Sequence, residues 1–206
     1  DVTLLALLEQ RYRPELRAAI HAEARRQRFR RERITWRNWG RTAACPPQVA
    51  FLPETVADLV EIVAEARATQ RRVRVAATGH SWPALATTDD FLVITHRLDA
   101  VTVNRDDPQR PLLVAEAGAT NHQINDVLAV HGLTLPFNVV LESVRIGGLV
   151  ATGSHGSGWV TPTLSDLVEV IEIVDAAGPI HSHSLTPPGP GGVDADAVKP
   201  GLGFFT

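Results

Sequence analysis

The stretch Ile146-Gly147-Gly148-Leu149-Val150-Ala151-Thr152-Gly153-Ser154-His155-Gly156-Ser157-Gly158 carries five glycines in its last twelve residues, mixed with serine and threonine. Backbone so free of side chains can approach a flat or charged ligand closely. It predicts an irregular loop, because glycine weakens helix and strand interiors alike. The stretch lacks the G-x-S-x-G spacing of a serine-hydrolase elbow. It also lacks G-x-x-x-x-G-K-[ST], since Lys199 is the one lysine in the chain. Gly201-Leu202-Gly203 is a broken G-x-G-x-x-G with no helix behind it, so a Rossmann reading is discarded.

Upstream, Val75-Ala76-Ala77-Thr78-Gly79-His80-Ser81 runs a strand into small residues. Amide groups of such a turn converge and form a concave anion site. A pyrophosphate is its natural occupant, held by amides and by the Thr78 and Ser81 hydroxyls. His80 offers a neutral imidazole nitrogen as nucleophile or ligand. A plain turn, in which glycine simply permits positive φ, accounts for the same residues.

Around these two segments the pattern is α+β. Residues 48–53, 73–77, 91–95, 101–103, 112–115 and 167–174 read as strands. Thr55 with Asp58, and Thr120 with Gln123, are capping pairs that open helices, the second ending at Gly132. Short strands alternate irregularly with helices, which argues against a regular doubly wound sheet. The Pro/Gly-rich residues 185–192 read as a loop.

The net charge of −3 is unevenly spread. Residues 1–41 carry 11 of the 20 basic groups against 5 acidic ones, densest in Ala24-Arg25-Arg26-Gln27-Arg28-Phe29-Arg30-Arg31-Glu32-Arg33. This run could bind phosphate backbones, but no aromatic interleaving or nucleic-acid motif accompanies it. It reads as a solvated helix packed through Leu4, Leu7, Leu8, Leu16 and Ile20. Residues 1–42 are therefore expected to be a basic helical arm ahead of a domain at 43–206.

The 206 residues are 44% apolar, and no run approaches the ~20 apolar residues of a membrane helix. A soluble protein without nucleic-acid partner is expected, with the cytoplasm favoured. One cysteine, Cys45, excludes an internal disulfide framework and any multi-cysteine metal site. His181 and His183 alternate on a strand without an apparent third ligand, so no metal is expected. His21, His96, His122 and His131 read as surface or capping residues. With no methionine and an apolar end at Phe204-Phe205-Thr206, the chain is expected to be processed or incomplete.

Taken together and in order, five motifs resemble flavoenzymes of the vanillyl-alcohol-oxidase type, in the branch of aldonolactone and alditol oxidases. They are Thr78-Gly79-His80-Ser81-Trp82, Glu116-Ala117-Gly118, Gly132-Leu133, the 147–158 segment, and Val174-Asp175-Ala176-Ala177-Gly178. Order and spacing hold from about Trp36 to Gly178. The resemblance implies a two-subdomain FAD-binding fold, with mixed and antiparallel sheets flanked by helices. It implies that Ala77, Thr78, Gly79, His80, Ser81 and Trp82 cradle the FAD pyrophosphate, with His80 joined to the flavin 8α carbon. It places Gly118, Gly147, Gly148, Thr152, Gly153, His155 and Gly156 along the flavin and ribityl chain. Ile171 or Ile173 would contact the adenine, and Phe205 would lie on the returning strand. The implied reaction is oxidation of a CH–OH group of a sugar, sugar alcohol or aldonolactone, with hydride passing to flavin N5 and the reduced flavin then reoxidised by molecular oxygen or another acceptor.

No cysteine lies near 135–141, so a second covalent link is excluded. Val139 and Val140 stand where the family often has small residues admitting oxygen, which argues against fast reaction with oxygen. The family's substrate domain and catalytic groups correspond to nothing before Thr206, and a second chain carrying them is an alternative, with this chain then a non-catalytic flavin-binding half. Trp36 and Trp39 match an Asn-Trp segment of the family and are assigned to packing.

Overall fold

Phe91-Leu92-Val93-Ile94 is a strand with every side chain buried, the pattern of a strand covered on both faces. A computed structural model describes residues 29–32, 34–176, 178 and 180–184. This strand, β6, lies inside a four-stranded mixed sheet ordered β1 (Arg30–Glu32), β4 (Val49–Phe51), β6, β5 (Val73–Ala76). β4 and β5 run parallel to β6, and β1 pairs antiparallel with β4 in the register Arg30 to Phe51.

The period-two alternation of strands sorts the core into two faces. Val49, Phe51, Phe91 and Val93 pack with Phe29 against Ile62 and Ala66 of helix α1 (Val56–Ala68). Ala50, Ala76, Leu92 and Ile94 pack on the other face with Ile34, Trp36, Leu52 and Ala86. Asp90 ties the starts of β5 and β6 together. It accepts from Arg71 Nη1 at 3.0 Å, Arg72 Nε at 2.9 Å and the Arg72 amide at 3.2 Å.

A second body begins with the antiparallel pair β7 (Val101–Asn104) and β8 (Leu112–Ala115). Helix α2 (Asn121–Val130) lies on it through Ile124 and Leu128. Helix α3 (Ile146–Ala151) adjoins, its Leu149 and Val150 packed with Val144 and Leu164. Two further antiparallel pairs complete the described chain: β2 (Trp36–Arg37) with β3 (Ala44–Cys45), and β9 (Val170–Val174) with β10 (Ile180–Ser184). Mixed and antiparallel sheets flanked by helices are thus present, as expected.

Both capping pairs form. Thr55 accepts from the Asp58 amide while Asp58 accepts from the Thr55 amide, and Thr120 and Gln123 do the same for α2. The expected helical arm over 1–42 differs where it is described. Arg30–Glu32 is a strand, because Phe29 enters the core and its carbonyl accepts from Leu52 N at 2.7 Å. The expected boundary at 42/43 cuts the β2–β3 hairpin, in which Trp36 faces Cys45. Residues 1–28, with the apolar stripe Leu4 to Ile20, and the 185–192 loop lie outside the described residues. The expected strand at 167–174 begins only at Val170, after a 3-10 turn over Leu164–Leu167.

Candidate functional site

The loop leaving β5 turns on Gly79, whose φ is +74°. A Cβ there would also stand 3.1 Å from the Trp36 ring, so the site takes glycine for two reasons. The loop is held from outside by the turn between β2 and β3. The Asn38 side chain donates from Nδ2 to the carbonyls of Ser81 (2.9 Å) and Trp82 (3.3 Å) and to Thr42 Oγ1 (2.8 Å), while its Oδ1 accepts from Ala43 N. Thr42 Oγ1 donates to the Trp82 carbonyl at 2.7 Å, and Trp39 N to the Gly79 carbonyl at 2.8 Å. Loop carbonyls are therefore turned outward, toward the hairpin.

The loop amides are left over. Among the described residues, the N–H groups of Thr78, Gly79, His80, Ser81 and Trp82 donate to no protein acceptor. Consecutive amides without acceptors are what a dianionic group such as a pyrophosphate requires, so the residues present fit that group.

The glycine-rich segment meets this loop, though in a form the sequence does not suggest. Ile146–Ala151, containing Gly147 and Gly148, is helix rather than loop. A Cβ at Gly147 would come within 2.9 Å of Ala117, whose carbonyl accepts from Gly147 N at 2.9 Å. A Cβ at Gly148 would meet only Ala77, at 3.5 Å. Close packing at Gly147 thus overrides glycine's poor helix propensity. Thr78 Oγ1 closes the seam by donating to the Ser143 carbonyl at 3.0 Å.

Gly118 sits tighter still. A Cβ would stand 1.8 Å from the Thr95 carbonyl oxygen and 2.6 Å from that of Leu98. Its own carbonyl accepts from Arg145 Nη1. Arg145 Nε is buried with no partner among the described residues. His96 Nε2 lies 3.1 Å from the Ala77 carbonyl. Burial, and then the neighbouring Arg145 charge, hold the His96 imidazole below its ordinary pKa, partly offset by the Ala77 carbonyl. Burial likewise lowers Arg145, with Asp99 acting the other way.

Ala77, Thr78, Gly118, Gly147 and Gly148 are therefore brought to one seam. Thr152, Gly153, His155 and Gly156 follow from the far end of α3. Thr152 Oγ1 donates to the Gly148 carbonyl at 2.8 Å, Gly153 has φ +62°, and Gly156 backs onto the Asn138 carbonyl. His155 is exposed, with Nδ1 2.8 Å from the Gly156 carbonyl. Ile171 and Ile173 lie on β9, paired with His183 and His181, and β9 leads to a shallow cleft of about 400 Å³ lined by Val63, Ala64, Arg67, Ala68, Ala176 and Gly178. No hydrogen bond joins Ile171 or Ile173 to the seam among the described residues. Phe205 lies outside the described residues.

Two residues were missed. Asn38 is buried at 3% exposure, and Trp39, assigned to packing, is 63% exposed with its indole stacked on the His80 ring. An asparagine between two tryptophans was the available signal. Among the described residues no group of three metal-ligating side chains occurs, and no helix is long and apolar enough to cross a membrane.

A family model described as FAD binding domain matches residues 47–184. An L-gulonolactone oxidase of Scyliorhinus torazame is 32% identical over 141 residues, covering 68% of this chain and 32% of that protein. An L-gulono-1,4-lactone dehydrogenase of Mycobacterium tuberculosis (strain ATCC 25618 / H37Rv) is 30% identical, covering 72% and 34%. A solved cholesterol oxidase from B. sterolicum aligns with a TM-score of 0.66 at 22% identity, over 73% of this chain and 32% of that one, a likeness of fold. The chain spans about a third of the length of these relatives.

Proposed function

Because the chain belongs to the FAD binding domain family, we propose that it is the FAD-binding part of an oxidoreductase acting on the CH–OH group of a sugar, sugar alcohol or aldonolactone. The five amides of 78–82 without protein acceptors are the observation that carries the reading. In it, those amides hold the pyrophosphate, with Ala77, Ser81 and Trp82 completing the loop. Gly118, Gly147, Gly148, Thr152, Gly153, His155 and Gly156 line the flavin and ribityl chain. Ile171 or Ile173 and Phe205 serve the adenine side. When bound, FAD supplies the redox chemistry, accepting hydride at N5 and passing electrons to molecular oxygen or another acceptor.

His80 is assigned as the covalent attachment point. Attachment there would break one C–H bond of the 8α-methyl group and the imidazole N–H and form one C–N bond, with two protons released and two electrons passing by way of the flavin to molecular oxygen or another acceptor. The relatives named as lactone oxidases and a lactone dehydrogenase, about a third of whose length this chain covers, support a lactone-type substrate.

Calorimetric titration of the purified chain with FAD tests the binding reading. Saturable binding, with ADP competing, is expected, and its absence overturns it. Acid precipitation of chain produced with FAD tests the link. Yellow colour should stay in the pellet and be lost in His80→Ala, whereas colour released to the supernatant removes His80 from the attachment role.

A further inference from the structure

The Trp39 and His80 rings lie with centroids 4.5 Å apart and planes inclined by only 19°, a stacked pair. The indole is otherwise 63% exposed, so it is not a core residue that happens to touch a histidine. Both members of the pair hang from one frame. The Trp39 amide donates to the Gly79 carbonyl, immediately before His80. The Asn38 side chain, immediately before Trp39, donates to the Ser81 carbonyl, immediately after His80. One backbone hydrogen bond and one from the Asn38 side chain thus bracket the stack and fix the distance between the residues that make it.

An imidazole turns about χ2 in a broad, two-fold well, unlike a staggered aliphatic side chain. Among the described residues the His80 ring has no hydrogen-bond partner, so neither nitrogen sets its orientation. The indole face is what restricts it. Bond formation to carbon depends steeply on the approach of the nucleophilic nitrogen, and loss of orientation is costly in rate.

We propose that Trp39 is a positioning residue for His80, its indole holding the imidazole plane in the orientation needed for attachment of the flavin. The proposal rests on the reading of His80 given above. Trp39 lies at 39, outside the 47–184 region that matches the family model, so the loop is completed by a segment that precedes that region.

The test uses the whole chain with Trp39→Leu, Trp39→Phe and His80→Ala, each produced with FAD. Covalent flavin is read by in-gel fluorescence after denaturation, and reversible binding by titration of protein made without FAD. Trp39→Leu should lower the rate of covalent loading about tenfold while reversible FAD affinity changes far less. Trp39→Phe, which keeps a flat ring, should recover most of the loading. Proton NMR of the flavin-free protein gives an independent readout, because stacking shifts the His80 ring protons upfield. That shift should vanish in Trp39→Leu and persist in Trp39→Phe. Equal loading of Trp39→Leu and wild type overturns the positioning role and leaves the His80 reading standing. A wild-type chain that binds FAD but never retains it through denaturation overturns both.

Discussion

The Asn38 carboxamide reaches across 43 residues of sequence to donate to the Ser81 carbonyl at 2.9 Å, from a position only 3% exposed to solvent. Asn38→Ala removes that donor and the acceptor of the Ala43 amide together. Leaving such groups unpaired should cost about 2 kcal/mol in unfolding free energy, read by urea denaturation. Asn38→Asp should be at least as damaging, because a carboxylate would face the carbonyls of Ser81 and Trp82. FAD affinity should fall in both, since the loop amides lose their template.

Gly118 and Gly148 separate folding from binding. Gly118→Ala forces a methyl against the Thr95 and Leu98 carbonyls and should cost about 3 kcal/mol or prevent folding. In Gly148→Ala the methyl meets only Ala77 at ordinary contact distance, so the melting temperature should hold or rise slightly. The same methyl stands at the seam beside the 77–82 loop. FAD affinity should drop about tenfold there, the equivalent of mild overpacking. A Gly148→Ala protein with unchanged FAD affinity would remove Gly148 from the site.

Asp90 makes stability sensitive to acid. Hydrogen bonds from Arg72 and then Arg71 hold its carboxyl at about 2, below the ordinary 3.8. A depressed carboxylate stabilises the fold fully above its unfolded value. That contribution is lost as pH falls from about 3.8 to about 2. The urea midpoint should therefore decline through this window, and Asp90→Asn should show a lower but flatter profile over it.

His96 titrates in the opposite chemical sense but also disfavours acid. Burial first, and then Arg145, hold its pKa below the ordinary 6.5. The folded protein thus resists a proton that the unfolded chain accepts, so stability from this group is complete above 6.5 and falls as pH drops below it. An NMR titration should find the His96 midpoint under 6.5, and Arg145→Gln should move it upward.

Local signals were legible in the sequence and distant ones were not. The capping pairs Thr55/Asp58 and Thr120/Gln123 could be read because all their partners lie within one helical turn. The β6 strand announced itself through four consecutive apolar residues. Helix α3 did not, because the reason for Gly147 is Ala117, which arrives from another element. The Arg-rich run at 30–32 looked helical because charge says nothing about pairing, whereas β4 supplies the partner that makes it a strand. Trp39 looked like packing because its exposure and its stacking partner are both set by tertiary structure.

The family region starts at residue 47, yet β1 covers the flank of β4 and Phe29 fills a place beside Phe51 at 6.3 Å between ring centres. Trimming an expression clone to 47–184 would therefore strip the sheet of its outer strand. It would present the β4 backbone as an open edge that invites self-association. The same cut would delete Asn38 and Trp39, leaving the 77–82 loop intact in sequence but without the mould that shapes it. A recombinant fragment designed for this fold should begin before Phe29, and a poorly behaved shorter one would report on its missing edge rather than on its affinity for flavin.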